Sequence, residues 1–130
     1  MPPHIRPRDA KFLWDMLEAA REVQGFVAGR TFEEYVTDAM LRRAVERSIS
    51  VIGEGTRRVS KACRNSNPGV PWEKFRRQRN LLAHEYAEID DAIMWRIATV
   101  HVPRLIEKLR PLVPRPPDRQ APAQGGDRRQ

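Results

Sequence analysis

The sequence predicts an all-α protein, an antiparallel bundle of about four helices joined by short turns. Three observations lead there. Apolar residues recur at spacings of three and four through every long segment. Helix-starting and helix-stopping residues fall between those segments. No stretch alternates with the period of two that marks a strand. At 130 residues, with three Trp and four Phe, the chain is about one domain's worth and can fill a moderate core. Residues 1–110 read as the helical domain and residues 111–130 as a tail.

Phe12, Met16, Ala19, Val23 and Phe26 mark a first helix over roughly residues 8–27, with Asp9 in its first turn and Gly29 where it should stop. Thr31 and Glu34 form a capping-box pattern that opens the second helix. That helix is expected to run through Phe32, Val36, Ala39 and Met40 toward Val59 and Ala62. Gly53 and Gly55 interrupt it, and each costs about 1 kcal/mol against alanine in a helix interior. They call for either a close neighbouring backbone or a break.

Asn65, Ser66, Asn67, Pro68 and Gly69 compose a turn. Pro71 suits the first position of a third helix reaching about Tyr86. A fourth helix begins near Asp90 and carries Ile93, Ile97, Val100 and Leu105. Pro103 should kink it or start a new turn, because proline removes the bond to the carbonyl four residues back. After Leu109 come five prolines and no aromatic residue, so the tail is expected to be disordered.

No apolar run approaches the roughly 20 residues that cross a membrane. The first residues carry no apolar signal-peptide core. Cys63 is the single cysteine, which excludes an intrachain disulfide and a Cys-based zinc cluster and leaves a small packing residue. There is no H-E-x-x-H and no other metal spacing, so neither metal nor cofactor is expected. These features describe a soluble cytoplasmic protein. Net charge is +7, and 20 of the 24 basic residues are arginine. Residues 110–130 hold five Arg against Asp118 and Asp127, so residues 1–109 are only mildly basic. Such a balance permits a polyanion partner without requiring one.

The chemistry concentrates in Arg79-Asn80-Leu81-Leu82-Ala83-His84-Glu85-Tyr86, an R-x4-H-x-Y spacing. Arginine is a forked, permanently charged donor for phosphate. Histidine moves protons near neutral pH. Tyrosine offers a hydroxyl that can bind phosphate or be modified. Together they suit handling or cutting RNA without a metal. Trp72, Phe75, Arg79, Leu82 and Tyr86 share one stripe of the third helix, whereas His84 lies about 140° round from Arg79 on an ideal helix. Either the helix is distorted or ends near His84, or two chains lend residues to a shared cleft. Tyr86 in an apolar stripe also reads as a core or interface residue.

Lys74, Arg76 and Arg77 precede Arg79 and could lead an RNA backbone to it, or could simply form the wet face of the helix. Arg42, Arg43 and Arg47 read the same two ways. Trp72 and Trp95 fit base stacking or, at helical spacing, the core. His4 and His101 have no partner pattern.

The flanks of the motif carry a resemblance. Ile52-Gly53-Glu54 lies upstream, Val70-Pro71-Trp72 leads in, and Ile89-Asp90-Asp91-Ala92-Ile93-Met94-Trp95 follows. This order is similar to that of the HepT-like toxins of the HEPN superfamily, over roughly residues 8–110. Gly55 departs from the alanine the family often has there. The resemblance implies a homodimer that brings two copies of the motif together, and a toxin that cleaves cellular RNA. It also implies a partner antitoxin, a minimal nucleotidyltransferase of the MntA type that transfers AMP to Tyr86. On this reading His84 handles a proton at the ribose 2′-hydroxyl or the leaving oxygen. Arg79 clamps the scissile phosphate, and Asn80 orients the site. Glu54 holds His84 or Arg79, or is an ordinary surface charge. The alternatives are a non-catalytic HEPN module that binds a nucleotide or a partner, and a helical dimer with no nucleic-acid role.

Overall fold

A computed structural model describes residues 5–84 and 88–113, and all its regular structure is helical. The sequence is α1 (Pro7–Val27), α2 (Phe32–Thr37), α3 (Ala39–Arg58), α4 (Lys61–Ser66), α5 (Trp72–Ala83), α6 (Asp91–Arg96) and α7 (Val102–Leu109). A single π turn, Ile97–His101, joins the last two into one continuous rod. The four long bodies α1, α3, α5 and α6–α7 make the expected bundle. His4, Glu85, Tyr86 and residues 114–130 lie outside the described residues.

Several starts follow the local code closely. Pro7 occupies the first position of α1, where its missing N–H costs nothing. The Thr31 hydroxyl accepts from the Glu34 N–H at 3.1 Å, and the Glu34 carboxylate accepts from the Thr31 N–H at 2.8 Å. The Asp90 carboxylate accepts from the N–H groups of Ala92 (2.9 Å) and Ile93 (3.1 Å). Gly29, just past the end of α1, has φ +72°, the left-handed region that suits glycine.

The expected second helix is three helices. It breaks at Asp38, whose carboxylate accepts from the Leu41 N–H at 3.0 Å and caps α3. It breaks again at Val59 and Ser60, both extended, and the Ser60 hydroxyl accepts from the Cys63 N–H at 3.1 Å to cap α4. The restart at Asp38 resets the phase of the apolar stripe. The face that reaches the core is Leu41, Val45, Ile49 and Ile52, while Met40 is 84% exposed. Phe26, also placed on an apolar stripe, is exposed at the last turn of α1.

Gly53 and Gly55 do not break α3; both sit inside it. A Cβ on Gly53 would lie 2.2 Å from Arg79 Cβ and 2.5 Å from the Phe75 carbonyl oxygen of α5. A Cβ on Gly55 would lie 2.2 Å from Met16 Cγ of α1. Two residues apart on a helix means faces roughly 200° apart. The pair therefore lets α1 and α5 close on opposite sides of α3 at one level.

The third helix stops at Ala83, short of Tyr86, with His84 as its C-cap. Pro71 precedes that helix as N-cap, so Trp72 takes the first position. Trp72 is buried, and its indole N–H donates to the Asn67 carbonyl at 2.9 Å, tying the turn to α5. Pro103 falls where a new turn was expected: α7 begins at Val102, with the proline in its first positions, and the backbone stays helical across the junction. The Val102 N–H reaches back five residues to the Ile97 carbonyl, and the widened turn just before the proline is the relief a missing N–H requires. Trp95 packs its ring on Tyr35 and Phe32, at 5.4 and 6.3 Å between centroids, the core reading of that residue. Cys63 is buried, and burial pushes its thiol above the ordinary range, so it packs rather than reacts.

Asp9 does more than fill the first turn of α1. Its buried carboxylate accepts from the Ser60 N–H at 2.8 Å and the Ser60 hydroxyl at 2.7 Å, across 51 residues of sequence. It pins the start of α1 to the α3–α4 junction.

Two predictions follow from this packing. Gly53→Ala drives a Cβ into the backbone of α5 and should cost about 1–3 kcal/mol. Gly55→Ala meets a flexible methionine and gains about 1 kcal/mol of helix propensity, so it should stay near neutral. Thermal melts that rank the two equally would contradict this. Asp9→Ala strands the part-buried Ser60 N–H and should cost about 1–3 kcal/mol, with Asp9→Asn milder because the amide can still accept and donate. Urea titration of the three proteins checks that order.

Candidate active site

The close approach at Gly53 sets the geometry of the site. With no side chain at 53, α5 lies against α3, and the next residue, Glu54, projects from the side of the contact. Its Oε1 stands 3.3 Å from Arg79 Nε and 3.6 Å from Arg57 Nη1, and its Oε2 accepts from Arg58 Nε at 3.1 Å. The hydrogen bond from Arg58, aided by the charges of Arg57 and Arg79, outweighs desolvation and holds the Glu54 carboxyl below its ordinary value. Glu54 is therefore an anion at neutral pH shared by three guanidinium groups. Contact with Arg79, one of its sequence readings, is present, alongside the same-helix surface pairs to Arg57 and Arg58.

Arg79 is half-buried, on the turn of α5 that faces α3. Its Nε faces Glu54 while its Nη1 donates to the Asn80 side-chain oxygen at 3.3 Å. A guanidinium held at two edges by neighbouring oxygens is oriented before any ligand arrives. That orientation is what clamping a phosphate requires. Arg79, Asn80 and Glu54 are thus brought together.

His84 follows one turn later. It ends α5, exposed, with an extended backbone (φ −80°, ψ 119°), and its N–H donates to the Leu81 carbonyl at 3.1 Å. Of the geometries open from sequence, the helix ending near His84 is the one observed.

The approach residues divide. Arg76 is turned back on its own helix, its guanidinium paired with both Glu73 oxygens. Arg77 is exposed and Lys74 half-buried. Arg42 caps α2 by donating to the Tyr35 and Val36 carbonyls, and Arg43 pairs with Glu46 at 3.4 Å, so both serve the fold. Arg57 and Arg58 are site neighbours that the sequence reading passed over. Their signal was the spacing of three and four from Glu54, which puts all three on one helical face. Among the described residues no three His, Cys, Asp or Glu side chains are grouped to hold a metal ion, and no helix is long and apolar enough to cross a membrane.

Comparison with known proteins places this chain in a family. Residues 16–112 match the family described as "Ribonuclease HepT-like". A Methanocaldococcus jannaschii protein named "Putative RNase MJ1380" is 37% identical over 99 residues, spanning 75% of this chain and 91% of that protein. The "Probable ribonuclease HepT" of Thermococcus cleftensis is 29% identical over 102 residues, 76% of this chain and 93% of that one. No solved structure matches the chain significantly. The matched region takes in Glu54, Arg79, Asn80 and His84 together with the helices that position them, and the chain belongs to the HepT-like ribonuclease family.

Proposed function

We propose that this chain is a metal-independent ribonuclease, the toxin of a toxin–antitoxin pair. In this reading it acts on cellular RNA and is neutralised when a partner nucleotidyltransferase of the MntA type transfers AMP to Tyr86. The observation that carries the reading is the Arg79 guanidinium, held by Glu54 and Asn80 on the helix that His84 terminates. Family membership supports RNA as the substrate.

The chemistry runs as an internal transfer. His84 accepts the proton of a ribose 2′-hydroxyl as its oxygen attacks the adjacent phosphorus. Two negative charges build on the non-bridging oxygens, and Arg79 stabilises them with a donor set already in place. The bond to the 5′ oxygen breaks, and a protonated imidazole supplies that oxygen's proton. The products are a 2′,3′-cyclic phosphate and a free 5′-hydroxyl. Two imidazoles in opposite protonation states suit the two transfers, and a symmetric dimer that pairs two α5 ends supplies them. Asn80 orients Arg79, and Glu54 keeps its charge countered between turnovers. Lys74 and Arg77 guide the incoming strand, while Arg76 contributes only when it leaves Glu73.

Inhibition by AMP transfer follows the same electrostatics. An anionic adduct two residues beyond His84 occupies the space of the RNA phosphate and draws Arg79 to itself.

The catalytic assignment is tested by cleavage of total cellular RNA in EDTA. Arg79→Ala keeps the Cβ that packs on Gly53, and His84→Ala alters an exposed residue, so both should melt close to wild type. Each should lose at least about 100-fold in rate and no longer arrest growth. A His84→Ala protein that cuts at the wild-type rate would remove the acid–base assignment. The modification is tested by incubation with the transferase, ATP and Mg²⁺, read by intact mass. Wild type should gain AMP, and Tyr86→Phe should gain none while remaining toxic. Equal modification of both would show that the acceptor lies elsewhere.

A further inference from the structure

A second basic feature lies beside the site. Arg6 and Arg8 at the start of α1, Arg57 and Arg58 at the end of α3, and Lys61 and Arg64 at α4 surround an open concavity of about 370 Å³. Its shape has a definite cause. The Asp9–Ser60 hydrogen bonds hold the two segments side by side, and they consume the one carboxylate that lines the concavity. Three of the cations are also held in place. Arg64 donates to the Thr56 and Val59 carbonyls at the end of α3. Arg58 lies over the Phe12 ring, 5.9 Å from its centroid, and with Arg57 it is tied to Glu54.

Six cations against Asp9 and Glu54 leave a local excess of four. Residues 1–109 carry 19 basic and 15 acidic side chains, so this one concavity accounts for their entire net charge. Five of the six are arginine, whose fork matches phosphate oxygens better than an ammonium does. The concavity adjoins the site through a single carboxylate, because Glu54 contacts Arg57 and Arg58, which line it, as well as Arg79.

We infer that the concavity between the start of α1 and the α3–α4 junction is a phosphate-binding subsite that holds the RNA backbone flanking the scissile phosphate. This rests on the ribonuclease reading above, but it makes a separate claim: a strand engaged at Arg79 continues across Glu54 onto these cations. Arg79 then acts on a substrate already anchored at a second point, and removing the anchor weakens binding more than it slows the bound complex.

The test uses the full chain carrying Arg6→Glu, Arg8→Glu and Lys61→Glu. None of these three side chains pairs with another group in the hydrogen bonds and ion pairs described above. Arg8 and Lys61 lie in the first turns of α1 and α4, where an acidic residue suits the helix dipole, so the fold should persist. The matched control is Arg21→Glu, Arg47→Glu and Arg104→Glu, three exposed arginines that do not line the concavity. Binding of a fluorescein-labelled 20-nucleotide single-stranded RNA is followed by anisotropy in the His84→Ala background across salt concentrations. Cleavage is followed with His84 intact.

The subsite variant should bind at least about 10-fold more weakly than the control and flatten the plot of log K against log salt by about 2, near 0.7 per lost phosphate contact. Its KM should rise with kcat within about threefold of wild type. Equal losses in the subsite variant and the control would show general charge attraction and overturn the subsite. So would wild-type affinity and KM in the subsite variant alongside normal cleavage by the wild type, a result that leaves the ribonuclease reading standing. A wild type that fails to cleave but loses RNA binding only in the subsite variant would sink the ribonuclease reading and keep the subsite. Competition with poly-L-glutamate at matched charge addresses an acidic protein as the occupant. Displacement of the RNA as effective as by unlabelled RNA would overturn the assignment to a nucleic-acid backbone.

Discussion

The structure turns on the double close contact of α3. Gly53 and Gly55 present bare backbone on nearly opposite faces, so α5 and α1 approach it from two sides at the same height. The cost in helix propensity, about 1 kcal/mol for each glycine, is set against the dispersion and burial that close helix packing gains. Glu54 falls between them, off both contact faces. It emerges at the seam, which is why one carboxylate reaches Arg79 on α5 as well as Arg57 and Arg58 on its own helix.

That arrangement fixes where charge lies. The long side chain of Arg79 leaves α5 at the level where its Cβ lies close to Gly53, and its guanidinium meets an anion that three arginines keep ionised. An ion pair this open to solvent on one side contributes little to stability. Its value is orientation: the guanidinium edge is set in advance, and a phosphate that displaces Glu54 finds donors that need no reordering. His84 gains its place in another way, from the end of α5, where the change of ψ to an extended value turns the chain away from the helix axis.

A second set of contacts secures the ends of the bundle. Asp9 with Ser60 and Trp72 with Asn67 each join a helix start to a junction, through hydrogen bonds of 2.7–2.9 Å. The first has a consequence beyond stability. It draws Arg6 and Arg8 alongside Arg57, Arg58, Lys61 and Arg64, residues far apart in the chain, and makes one basic concavity out of unremarkable local charge.

Much of this was legible in the sequence wherever a few consecutive residues decide the outcome. The all-helical class, the capping box at Thr31 and Glu34, the start at Asp90 and the turn before Trp72 are settled by hydrogen bonds reaching no more than five residues. The R-x4-H-x-Y spacing and its flanks marked the motif helix, and the two glycines called for a close approach or a break without deciding between them. Other features were decided only by the tertiary structure. Periodicity ran unbroken through Asp38 and Val59, and it took the packing of α3 between two neighbours to show that the helix divides there and not at the glycines. The contacts Glu54–Arg79 and Asp9–Ser60 join residues 25 and 51 positions apart. No local pattern encodes such pairs, because they form only once separate helices are brought together by burying their apolar faces.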